Sequence, residues 1–142
     1  MGKNICFKLI GITTTEFAII ESILVKEENI SLKTGIEFSV NITNNNISVE
    51  PKFIFSSENQ PFMIIGIRCD FYITKESLDE LLIENKYIFP LGFITHLSVI
   101  AVGTARGVLH AKTENSLYNK YLIPTINLTE IIKSDLVIEA KN

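Results

Sequence analysis

Apolar and polar residues alternate along residues 36–43: Ile36, Phe38, Val40 and Ile42 point one way, and Glu37, Ser39, Asn41 and Thr43 the other. A period of two predicts a half-buried strand. Asn44-Asn45-Asn46 then reads as a hairpin turn, because Asn tolerates positive φ better than most residues. The return strand puts Ile47, Val49, Phe53 and Phe55 on one face. Pro51 has no N–H to give to a ladder, which predicts an edge strand or a bulge at that point. After a polar turn over residues 56–60, the strand over 61–73 is different in kind. Met63, Ile65, Ile67, Cys69, Phe71 and Ile73 form one face, and Phe62, Ile64 and Tyr72 lie on the other with Arg68 and Asp70. Apolar residues on both faces predict a central strand, covered by helix on one side and by a partner chain or ligand on the other. Upstream, residues 6–12 and 17–25 are rich in β-branched and aromatic residues and read as one long bent strand or two pieces.

The second half of the chain changes period. Thr74 caps a predicted short helix over 75–83, with Leu78, Leu81 and Leu82 on one side. Pro90 sits at the start of the longest predicted helix, over 90–112. Ile94, Leu97, Ala101, Ala105 and Val108 make a stripe at three- and four-residue spacing. Gly103 and Gly107 each cost about 1 kcal/mol relative to Ala inside a helix, so close packing against another backbone is expected to offset them. Residues 117–127 form an extended arm, since Pro124 excludes helix there. Asn127 caps a short helix over 128–133, and residues 135–142 read as a short strand or a frayed tail. The fold class is therefore α+β: a four-stranded antiparallel sheet over about 5–73, with a long and a short helix packed on one face.

With 142 residues the chain is expected to form a single domain. Hydrophobic residues make up 46% and the mean hydropathy is +0.28, high for a chain with 20% charged residues. An excess of aliphatic side chains, Ile above all, points to an oligomer interface or an apolar binding surface. Net charge is −3 with no basic run, which argues against nucleic-acid binding. The chain begins Met-Gly-Lys-Asn-Ile-Cys-Phe, without the apolar segment of a signal peptide, and Gly2 lacks the downstream Ser or Thr of a myristoylation pattern. Residues 88–109 are the most apolar stretch, interrupted by Pro90, Thr95, His96, Thr104 and Arg106, so membrane insertion is not expected. The reading is cytoplasmic, with Cys6 and Cys69 as buried free thiols. The four Asn-X-Ser/Thr sequons then carry no glycan.

No catalytic, metal-binding or cofactor constellation is legible. His96 and His110 lie fourteen residues apart on the long helix, about 21 Å along its axis, too far to share a metal. Glu27-Glu28 and Asp79-Glu80 are adjacent pairs whose side chains diverge. Gly103-Thr104-Ala105-Arg106-Gly107 lies within helix and lacks the Gly-Lys-Ser/Thr ending of a phosphate loop. Arg106 reads either as one half of an ion pair across a subunit interface, with Gly103 and Gly107 beside it, or as an exposed Arg whose stem lies on apolar surface. A hot-dog enzyme also wraps a sheet round an apolar helix, but it places that helix early, whereas here it follows the strands.

A run of strands, the Gln60-Pro61-Phe62 entry to the fourth of them, a helix led by Ile88-Phe89-Pro90 and ending in Arg106-Gly107, and then Leu122-Ile123-Pro124-Thr125-Ile126-Asn127: this order resembles the SecB-type export chaperones, and especially their shorter SecB-like branch. The resemblance spans about residues 5–133. It implies no enzyme and no cofactor. It implies homodimers or homotetramers that capture unfolded polypeptide or preproteins in apolar grooves, some serving the SecA translocation motor and others an antitoxin. The short final helix and the lack of an acidic tail depart from the export chaperones and bear on SecA docking more than on the fold. The function expected is that of an ATP-independent chaperone, with a dedicated adaptor or antitoxin-type subunit as the alternative. Client-binding side chains are expected at Phe62, Ile64, Tyr72, Tyr118, Tyr121, Leu122 and Ile123.

Overall fold

The computed structural model describes residues 4–140; Gly2 and the last two residues of the predicted tail lie outside them. The β-rich first half forms β1 (Phe7–Ile19), β2 (Ile30–Asn41), β3 (Asn46–Ser57) and β4 (Gln60–Ile73). They pair antiparallel in the order β1-β4-β3-β2, so β4 is central as its two apolar faces predict. Asn45 takes φ 54° in the β2–β3 loop.

β1 is one strand, and it ends at Ile19 where the pattern predicted apolar strand to Val25. Two register shifts explain its unclear period. Leu9 pairs with Phe71 and Gly11 with Asp70, leaving Ile10 as an extra residue; Thr15 is extra in the same way between Thr14 and Glu16. Each bulge resets the parity, so Phe7, Leu9, Ile12, Phe17 and Ile19 all lie on the helix side. Thr15 also covers Gly66 of β4, where a Cβ would meet its Oγ1 at 2.9 Å.

Pro51 lies on neither an edge nor a bulge. β3 is an inner strand, and its ladder with β4 lapses at Glu50 and Pro51 and resumes in the same register at Lys52–Gly66. The missing N–H is accommodated by a local gap rather than by moving the strand to the edge.

Thr74 caps α1 (Lys75–Glu80), its Oγ1 accepting from the Ser77 N–H at 3.3 Å. The helix is three residues shorter than predicted. Leu82 and Ile83 instead begin a hairpin, β5 (Leu82–Ile83) and β6 (Lys86–Phe89), around Glu84-Asn85, both at positive φ. The tail supplies β7 (Leu136–Glu139), which pairs with β6 to complete a second, three-stranded sheet. The predicted helix over 128–133 is a single 3-10 turn, Leu128–Glu130.

α2 (Leu91–Thr113) packs on β3 and β4 through Ile94, Leu97, Ser98, Ala101, Val102, Ala105, Leu109 and Thr113. Phe7 joins β1 to it, edge-on to Phe93 at 5.4 Å and to His96 at 5.9 Å between centroids. By length and composition α2 is apolar enough to cross a membrane, contrary to the sequence reading, yet its buried stripe is the centre of the core. Gly103 and Gly107 face open space, with no atom beyond their chain neighbours and the surrounding helix backbone within 4 Å of where a Cβ would stand, so the close packing expected of them against another backbone is not made among the described residues. Cys69 is buried and Cys6, against expectation, is exposed.

Candidate functional site

An apolar opening lies where the β1–β2 connection meets the arm that follows α2. Beyond Ile19 the chain leaves the sheet, with the Ile20 N–H donating to the Phe62 carbonyl at 2.8 Å. It returns at Lys26, whose N–H donates to Ser57 Oγ at 2.8 Å. Between these anchors Leu24 stands 77% exposed. On the other wall, a 3-10 turn at Leu117–Lys120 is capped by Ser116 Oγ, which accepts from the Tyr118 N–H. Asn119 ties that turn back to the helix end, donating to the His110 carbonyl and Thr113 Oγ1. Leu117 is left 87% exposed. The pocket between the walls measures about 410 Å³ and is lined chiefly by Ile23, Leu24, Val25, Leu117, Tyr118 and Tyr121.

Its floor is aromatic. The ring of Phe62 lies 5.1 Å from Tyr121, 6.2 Å from Tyr118 and 6.3 Å from Phe55. Phe62 was expected on the opposite face of β4 from Met63. It is the extra residue of a register shift, since Phe55 pairs with Met63 and Ser56 with Pro61. The bulge turns its side chain to the helix side, where it is fully buried.

One carboxylate ties the arm to the segment that leads into β2. The Tyr121 hydroxyl donates to Glu27 Oε2 at 2.5 Å, and Lys120 Nζ lies 3.1 Å from the same oxygen. Hydrogen bonds from Tyr121 and then Lys120 hold the Glu27 carboxyl below its ordinary pKa. Burial, and then the bond to Glu27, push the Tyr121 phenol up to about 12. Further along the arm, Arg106 on α2 donates through Nε to the Ile123 carbonyl and through Nη2 to the Pro124 carbonyl, both at 2.7 Å. Its guanidinium serves its own chain, a role the sequence reading did not foresee.

Of the seven side chains singled out from the sequence, Tyr118 and Tyr121 line this pocket, and Phe62 packs against their rings but is fully buried and so unavailable as a contact surface. Leu122 is 58% exposed, and Ile123 is buried in the core and so unavailable as a contact surface. Ile64 and Tyr72 lie half-buried on the far face of the sheet, among Arg68, Asp70 and Lys52. That face is held by polar contacts: Ser48 donates to Asp70, Arg68 pairs with Asp70 at 3.2 Å and Lys52 with Glu16 at 2.9 Å. Leu24 and Leu117, the most exposed large apolar residues of the pocket, were missed. Their one signal was the interruption of the apolar run by Glu21-Ser22 and of the helix by Asn115-Ser116.

Among the described residues no group of three or more His, Cys, Asp or Glu side chains is arranged to hold a metal. No protein-family model and no curated protein matches the chain. Among solved structures, it is similar to a protein of unknown function from Streptococcus agalactiae, at 10% identity and a TM-score of 0.41, over 88% of this chain and 99% of that one.

Proposed function

We propose that this protein is an ATP-independent chaperone that holds unfolded or partly folded polypeptide in the cytoplasm. The observation that supports this reading is the open apolar pocket between Leu24 and Leu117, two large aliphatic side chains left in solvent over an aromatic floor. Clustered exposed apolar side chains rimmed by polar ones mark interaction surfaces. Here the rim carries Glu21, Ser22 and Lys120. An apolar side chain entering such a pocket gains about 25 cal/mol per Å² buried before ordering costs, with little dependence on which aliphatic or aromatic residue it is. Sequence-tolerant, weak and repeated contacts of that kind suit a chain that must be released as well as held. The order of strands, helix and arm that resembles the SecB-like chaperones adds to the reading.

The test is suppression of light scattering by a refolding, aggregation-prone client, with the double variant Leu24→Ser/Leu117→Ser beside the native protein. Both side chains are exposed, so the variant is expected to keep its melting temperature and lose most of its suppression. A folded native protein that leaves aggregation unchanged at several-fold molar excess would overturn the proposal.

A further inference from the structure

The ring of Tyr121 sits where an incoming apolar side chain would be held best. It stands edge-on to Phe62 at 5.1 Å between centroids, and lies 6.5 Å from Phe55 and 6.3 Å from Tyr118. Phe62 and Phe55 are both buried, so the chain's own tyrosine covers two aromatic rings that the pocket would otherwise open onto. Aromatic pairs in such edge-on and tilted arrangements are favourable beyond the area they bury, whichever chain supplies the second ring.

The arm is tied down on either side of Tyr121. Asn119 is bonded to the end of α2, and the carbonyls of Ile123 and Pro124 are bonded to Arg106. Between these ties Tyr121 is half-buried and Leu122 exposed. The Tyr121 side chain makes one hydrogen bond, from its hydroxyl to Glu27 Oε2 at 2.5 Å, with Lys120 Nζ 3.1 Å from the same oxygen. A change of rotamer at Tyr121 therefore breaks that bond and opens no backbone bond.

Glu27 is the fixed half of the contact. It begins the 3-10 turn Glu27–Asn29, in which the Asn29 N–H donates to the Lys26 carbonyl at 3.0 Å. The Lys26 N–H donates to Ser57 Oγ, the Glu58 N–H donates to the Asn29 carbonyl, and Lys26 Nζ lies 3.3 Å from Glu58. The turn is thus bonded at both ends to the corner between β3 and β4.

From this arrangement we infer that Tyr121 is an autoinhibitory side chain, a built-in occupant latched by Glu27. An aromatic or large aliphatic side chain of a client displaces it and takes its seat against Phe62 and Phe55. The hydroxyl gives the occupant a tether to the opposite segment that a phenylalanine would lack. The latch joins exposed groups, whose pairing is individually weak. The open rotamer is then a minor state of about 0.1–10% rather than one out of reach. Apparent affinity is reduced by that fraction, so the empty pocket stays covered and a bound side chain leaves readily. The inference rests on the polypeptide-binding reading for what displaces the ring, and the test separates the two.

The test is titration with Nile red, a neutral apolar dye, of the native protein, Glu27→Ala, Tyr121→Ala and the double variant. Glu27→Ala removes the catch at an exposed position, so it is expected to fold and to bind the dye about fivefold more tightly, as the competent fraction rises. Tyr121→Ala removes the occupant and is expected to tighten binding by about tenfold or more. The double variant should match Tyr121→Ala, because both changes act on one event. Adding Leu24→Ser/Leu117→Ser to Glu27→Ala should abolish the gain, which places the dye in the pocket. Equal affinity in native protein and Glu27→Ala would overturn the inference, as would gains from the two single variants that multiply in the double one. Tighter, non-multiplying dye binding by a protein that leaves client aggregation unchanged would keep the latch and remove the chaperone reading. Suppressed aggregation with unchanged dye affinities would remove the latch alone.

Discussion

Arg106 on α2 holds the arm by its main chain, with its guanidinium 2.7 Å from the carbonyl oxygens of both Ile123 and Pro124. The contact spans seventeen residues of sequence and seats the Ile123 side chain in the core. A charged donor serving two backbone acceptors holds a segment that has no regular backbone pairing of its own.

Replacing Arg106 by Ala should therefore free the arm before it unfolds the protein. Loss of charge-assisted bonds of this kind costs about 1.5–3 kcal/mol. Hydrogen exchange should show amides over 121–126 losing protection while those of β3 and β4 keep theirs. Uniform loss across the sheet would show that the clamp does not act locally.

The aromatic floor separates stability from surface. Phe62→Ala removes a fully buried ring and should cost about 3–5 kcal/mol in urea unfolding. Tyr121→Ser should also destabilise, because its ring packs on Phe55 and Phe62. Leu122→Ser, on an exposed side chain, should change stability by less than about 0.5 kcal/mol.

Two linked groups give the arm a pH response with opposite limits. The Glu27 carboxyl titrates below its ordinary value, so its contribution is present above the unfolded pKa and is lost as pH falls through the lowered one. The Tyr121 phenol is raised to about 12, so its contribution is intact below the ordinary phenol pKa near 10 and is lost as pH rises from there through about 12. In an absorbance titration one of the four tyrosines should ionise late. Tyr121→Phe should remove that step, and Glu27→Gln should move it to lower pH. A late step that survives Tyr121→Phe belongs to another tyrosine.

The start of α2 depends on a residue far along the chain. Asp135 Oδ1 accepts from the Leu91 N–H at 2.8 Å, joining the helix N-terminus to the segment that leads into β7. Asp135→Ala should cost about 0.5–2 kcal/mol, by loss of a cap and of a negative charge at the positive end of the helix. Asn at 135 should recover part of it. Equal losses in both variants would assign the effect to charge alone.

Local pattern carried much of the fold. The period of two over 36–43, the two-sided apolar character of 61–73 and the stripe from Ile94 to Ala105 are present in the residues themselves, and they identify a half-buried strand, a central strand and the core helix. Thr74 and Asn127 could be recognised as caps because capping joins a side chain to backbone two or three residues away. The α+β class followed from these elements and their order.

Tertiary structure decided whatever depended on a partner strand or a distant residue. The bulges at Ile10, Thr15 and Phe62 exist only relative to β4 and β3, and they determine which face those side chains take. Glu84-Asn85 became a hairpin turn, and 136–139 a strand, because β6 pairs with both neighbours; that pairing ended α1 at Glu80. The pocket joins Leu24 to Leu117 across ninety-three residues, through Glu27 and Tyr121. A period along a chain records how each residue relates to its neighbours in sequence. It holds no record of which distant backbone will supply the next hydrogen bond, and in this protein such bonds set the faces, the arm and the candidate site.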